Sequence, residues 1–133
     1  MMTIRIEGLQ RLARKLEEGA RDKAVKLGMN QSATLLQGWI QRNRLSGPRP
    51  DFLGVLTGRL RTSISVKSTE KVGDAYITKI GTNVEYAAAH EFGYPPHNLR
   101  ARPFMRPAFE DPQNQRQIVS IIAERLNEAL ARE

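Results

Sequence analysis

The chain opens on Ile4 and Ile6 alternating with polar neighbours, the period-two pattern of a short half-buried strand over residues 2 to 7, which Gly8 ends. Leu9, Leu12 and Leu16 then fall at helical spacing. After a break expected at Gly19-Ala20, a second series (Ala24, Leu27, Leu35, Leu36, Trp39, Ile40) runs along one side of a longer helix that should stop near Arg44. Gly28 lies inside it and predicts a bend or close packing against a neighbour, because glycine in a helix costs roughly 1 kcal/mol relative to alanine.

Residues 45–58, LSGPRPDFLGVLTG, carry three glycines and two prolines and cannot continue a helix. They read as a long mobile loop, and loops of this length in compact domains are usually either functional or disordered until a partner arrives. Ile64 and Val66 alternate with polar residues in 60–68, and 75–81, AYITKIG, has comparable β character; with TEKVGD as the turn the two predict a β-hairpin. EYAAAHEF has the alanine content of a short helix ending at Gly93, after which Pro95 and Pro96 predict an extended turn. Asp111-Pro112 is a helix start, aspartate capping the free N–H groups and proline suiting the first helical position. Ile118, Ile121, Ile122, Leu126, Ala129 and Leu130 give that last helix an apolar stripe that needs covering. The expectation is an α+β fold in one domain spanning 1–133: a small antiparallel sheet containing a central hairpin, packed against a long N-terminal helix and a C-terminal helix.

Composition narrows the chemistry. At 133 residues the chain fits one core, and no stretch approaches the roughly 18 uninterrupted apolar residues of a membrane span. The N-terminus MMTIRIE lacks a basic segment followed by an apolar core, so synthesis and work in a cytoplasm are expected. The absence of cysteine excludes disulfides, thiolate zinc sites and cysteine nucleophiles. The balance of 21 Lys+Arg against 14 Asp+Glu gives +7, which favours polyanions or acidic protein surfaces, or is simply a positive solvated surface.

His90, Glu91 and His97 are the candidates for a metal or acid–base cluster, but they lack the zincin pattern of two histidines four apart on one helix. The plainer reading has Glu91 pairing an arginine and His90 as a partly buried polar tip. Gly54 and Gly58 lack the lysine of a phosphate-binding loop, and Ser63 and Ser65 lack nucleophile-elbow glycines. No enzyme and no cofactor is expected. Arg42, Arg44, Arg49, Arg59 and Arg61 gather around the proline-rich loop, and Arg100, Arg102 and Arg106 around Pro103; with aromatics at 6%, any nucleic-acid contact would be to phosphates without sequence preference. A non-sequence-specific nucleic-acid-binding module is the alternative function.

LTGRLRTSI (56–64), IGTNVEYAAAHEFG (80–93) and ARPFMRPAFE (101–110), in this order around a hairpin and before one terminal helix, resemble the tail-completion and head–tail joining proteins of long-tailed bacteriophages and prophages, related to minor tail and virion morphogenesis proteins. The motif positions are Gly58, Leu60, Gly81, Thr82, Tyr86, Glu91, Gly93, Pro103, Phe104 and Pro107. The resemblance implies a non-enzymatic structural protein of the virion neck or tail end, assembled in the host bacterial cytoplasm. It implies a ring, six-fold in expectation, contacting the head connector and the tail tube or tail terminator, with non-specific contact to genome DNA and none with a membrane. In this reading 86–92 is a short helix closing over the hairpin, Glu91 and Gly93 shape its exit, and Phe104 plugs the connection to the last helix. Partner contacts are then expected from the loop, at Arg49, Phe52 and Leu53, and from Arg59 and Arg61 beside it.

Overall fold

The computed structural model describes residues 2–4, 9, 13–45, 58–97, 101 and 103–132. The interior of the expected mobile loop, residues 46–57, lies outside them, as do residues 5–8 of the expected first strand. The architecture is α+β: a three-stranded antiparallel sheet of order β1-β3-β2 with helices against it.

Helix α1, Glu18–Asn43, is the main support. Val25, Met29, Ala33, Leu36 and Ile40 are all buried, at spacings of four, four, three and four, so they share one face. The break expected at Gly19-Ala20 falls slightly earlier, in the non-helical residues 14–17, and α1 begins at Glu18. Gly19 sits in the exposed first turn with open space around it, where glycine weakens a helix without stopping it. Leu27, expected on the apolar side, is 53% exposed; its place in the core is taken by Met29 and Ala33. Arg44 N donates to Ile40 O at the C-terminus and the Arg44 guanidinium lies over the Trp39 ring.

The first half of the expected hairpin begins differently. Residues 58–63 form a short helix, α2 (Gly58–Ser63), rather than strand. Its exit is held by α1: Gln37 Nε2 donates to Ile64 O at 2.6 Å and Gln41 Nε2 to Arg61 O at 3.0 Å, so these carbonyls are taken before a ladder can use them. Leu60 and Ile64 go into the core. Strand β2 (Ser65–Val72) then runs four residues further than expected and turns at Gly73-Asp74, where Gly73 takes φ 62°, the left-handed region that suits glycine. It returns as β3 (Ala75–Gly81), which also pairs with β1 (Met2–Ile4) through Met2↔Ile80 and Ile4↔Thr78.

A bulge between Lys67 and Glu70 is pinned from α1. Asn30 Oδ1 accepts from Thr69 N at 2.9 Å and from Thr69 Oγ1 at 2.7 Å, and Thr69 Oγ1 meets the buried Thr78 Oγ1. Polar groups left unpaired by the extra residue are thereby satisfied, which buried groups require.

After β3 come α3 (Ala87–Phe92), a 3₁₀ turn Pro95–His97 in place of the extended turn expected there, α4 (Arg106–Glu110), which the pattern did not predict, and α5 (Pro112–Ala131). Asp111 caps α5 by accepting from Asn114 N at 3.0 Å, with Pro112 at the first helical position. Ile118, Ile122 and Leu126 are buried against α1 and the remaining core. The two long helices pack tightly at Gly28, where an added Cβ would lie 3.1 Å from Ile122 Cα. Close packing, the second of the two expectations for this glycine, is what it provides.

Candidate interaction surface

The sequence motifs converge at the end of β3. Thr82 Oγ1 accepts from Val84 N at 3.1 Å, a local turn that sends the chain from the strand into α3. The Ser63 hydroxyl of α2 meets Thr82 Oγ1, tying the two halves of the motif together. α3 ends at Gly93, whose φ of 80° again favours glycine.

Glu91 is the hub. Its side chain is buried, and Oε1 accepts from Phe104 N at 3.0 Å and Met105 N at 2.9 Å, while Oε2 accepts from Arg106 N at 3.2 Å. The carboxylate therefore satisfies the free N–H groups at the start of α4, and among the described residues it does not pair an arginine, the partner expected for it. Phe104 and Met105 are drawn into the core beneath it, 2% and 6% exposed.

Between α3 and this turn lies a groove of about 300 Å³, walled by Val84, Ala88, Phe92, Phe104 and Met105, with Glu85 and Arg106 at its rim. Phe92 is 74% exposed and Tyr94, just beyond, 45%. Phe92 is thus an apolar side chain held out at the edge of an apolar recess. Arg106 reaches Glu110, one turn on, at 3.8 Å.

The motif residues Gly81, Thr82, Glu91 and Phe104 line this groove, and Leu60 is fully buried. Tyr86 packs edge-on to His90 with ring centroids 5.5 Å apart, while Pro103 and Pro107 are half-buried on either side of the turn. Gly58 begins α2; Arg59 on that helix is exposed and Arg61 half-buried. Arg49, Phe52 and Leu53 lie outside the described residues, and so does the His97 side chain. Of the metal candidates, His90 faces Tyr86 and Glu91 is committed to backbone N–H groups; among the described residues no three His, Cys, Asp or Glu side chains gather.

A second cluster, unmarked by any motif, joins the hairpin tip to α1. Lys71 Nζ lies 3.1 Å from both Glu18 Oε1 and Asp22 Oδ1, and the Tyr76 hydroxyl donates to Asp22. The bond from Tyr76, with help from Lys71, holds the Asp22 carboxyl below its ordinary range. Glu18 and then Asp22 hold the Lys71 ammonium's pKa up, and burial followed by the bond to Asp22 raises that of the Tyr76 hydroxyl.

The described residues thus form a close-packed α+β core that presents an exposed aromatic beside an apolar groove. The family model described as "Bacteriophage HK97-gp10, putative tail-component" matches residues 6–93, and the chain belongs to that family. Membership makes it a structural component of the phage tail and so of the virion. The match takes in α1, the hairpin and α3 and ends at Gly93, short of the 101–110 segment. No curated protein and no solved structure matches the chain.

Proposed function

We propose that this tail component assembles as an oligomeric ring at the head–tail junction or tail end, where it completes or joins the tail. The observation that carries the reading is Phe92, 74% exposed beside an apolar groove on the last helix of the family-matched segment. A ring is built by head-to-tail contacts in which one surface of each subunit meets a different surface of the next, and an exposed aromatic is the usual anchor of such a contact. The partners in this reading are further copies of the chain, the head connector, and the tail tube or terminator, with Arg49, Phe52, Leu53, Arg59 and Arg61 contributing contacts. The work is mechanical and turns over no substrate.

The test is electron microscopy of particles made by the parent phage with this gene deleted. DNA-filled heads beside separate tails support joining, and tails of uncontrolled length support termination. Normal, infectious particles overturn the proposal.

A further inference from the structure

The sheet has one covered face and one open one, and the register says which residues occupy each. Tyr76 reaches Asp22 of α1, and Lys71, its cross-strand partner, reaches Glu18 and Asp22, so both point toward the helix. Thr78 and Ile80 alternate with Tyr76 along β3 and share that face, where both are fully buried. Lys79 therefore points the other way. Lys67 is its direct Cα partner on β2 and points the same way.

Two lysines thus stand opposite each other on the open face, and both are exposed. Directly opposed residues of an antiparallel pair are separated by about 5 Å at Cα, well inside a Debye length, so the ammonium groups repel. Like charges at such positions destabilise a sheet. Among the described residues neither lysine has an ion pair, and the α1 carboxylates beside the hairpin, Glu18 and Asp22, are spent on Lys71 beneath the sheet. Glu70 shares the open face by register, opposite Ile77, and among the described residues no bond joins it to either lysine.

We infer that the open face of the sheet, through Lys67 and Lys79, contacts the phosphodiester backbone of duplex DNA. Charge complementarity selects this partner. An unneutralised cation pair on a chain of net charge +7 is relieved by a polyanion that presents a dense row of phosphates. The face also carries Glu70, Ile77 and the exposed Val72, with Ser65 and Ala75 flanking the lysines, and among the described residues it has no aromatic to stack on a base, so binding is indifferent to sequence. The site differs from the arginine clusters that the sequence draws attention to. It also stands apart from ring assembly, since it concerns each free subunit.

The experiment measures binding of the full chain to a fluorescent 30-base-pair duplex across a salt series, with sedimentation velocity on the same samples to record assembly. Each neutralised phosphate contributes about 0.9 to the slope of log K against log salt. The double variant Lys67→Gln/Lys79→Gln is expected to lower that slope by roughly 1.8. The charge-matched control Lys15→Gln/Lys23→Gln, at exposed positions before and on α1, is expected to leave it unchanged. No binding by the wild type, an unchanged slope in the sheet variant, or equal losses in the two variants overturns the inference; so does preferential binding of polyglutamate over DNA by the same face. Because sedimentation reports the ring separately, a chain that fails to assemble still gives a slope.

Discussion

Glu91 Oε1 lies 3.0 Å from the backbone nitrogen of Phe104, and the same carboxylate accepts the next two N–H groups as well. One side chain on α3 therefore fixes the entry to α4, thirteen residues later, and brings Phe104 and Met105 under the groove. Removing it strands buried donors, each worth about 1 to 3 kcal/mol when left unsatisfied. Glu91→Ala is expected to destabilise the protein by about 3 kcal/mol and Glu91→Gln, which keeps one acceptor oxygen, by about half that. Urea unfolding of both variants measures this, and a loss below 1 kcal/mol for alanine would contradict the account.

Two glycines of α1 should respond to alanine with opposite signs. At Gly19 nothing lies within 4 Å of an added Cβ, so Gly19→Ala gains helix propensity and stabilises by about 0.5 kcal/mol. At Gly28 the new methyl meets Ile122 Cα and Cγ1, both at 3.1 Å. A backbone atom yields only if α5 moves, and overpacking of this kind costs about 1 to 3 kcal/mol, more than the propensity gain. Thermal melts of the two variants should fall on either side of the wild type.

The contrast between α5 and α2 explains what the sequence made legible. Asp111, Pro112 and the isoleucine stripe are local signals, and they placed α5 with its cap because nothing distant competes for those groups. Residues 60–63 have an equally local β pattern, yet they are helical, since Gln41 claims the Arg61 carbonyl and Gln37 that of Ile64 just beyond, from 20 and 27 residues away. Hairpin length failed for a related reason: the bulge that carries β2 to Val72 is held by Asn30, 39 residues before Thr69. At the candidate surface, the motif residues marked the right neighbourhood. The carboxylate's backbone partners and the outward Phe92 were not readable, because both depend on where the chain returns after the prolines. In an alanine-rich helix Phe92 looks like a core residue; only the folded geometry leaves it outside.

The Asp22–Tyr76–Lys71 cluster predicts a pH profile with two limbs. Asp22 has a lowered pKa, so its contribution is present above the ordinary carboxylate value near 3.8 and is lost as pH falls through the lower folded value. Lys71 and Tyr76 have raised values, so theirs is present below about 10 and is lost as pH rises through the folded values. Tyr76→Phe removes the main cause of the Asp22 shift. The melting temperature of this variant should drop less than the wild type's between about pH 4 and pH 2, and parallel acid limbs would show that Tyr76 is not that cause.

Substitution of Phe92 separates a packing role from a contact role. The ring is 74% exposed, so Phe92→Ser removes little buried area from the free subunit, and its melting temperature should stay within about 2 °C of the wild type. If the ring anchors the next copy, truncation at the centre of that contact costs 2 kcal/mol or more, a loss of roughly thirtyfold in association. Ala88 lies one helical turn before Phe92 on the same wall of the groove, and enlarging it should obstruct the recess from the other side. Ala88→Trp is therefore expected to weaken assembly while leaving the monomer folded. Sedimentation velocity of the wild type and both variants, at matched concentrations, decides between the roles. Oligomers that persist in both variants would remove the groove from the subunit interface, whereas monomers that melt normally would locate it there.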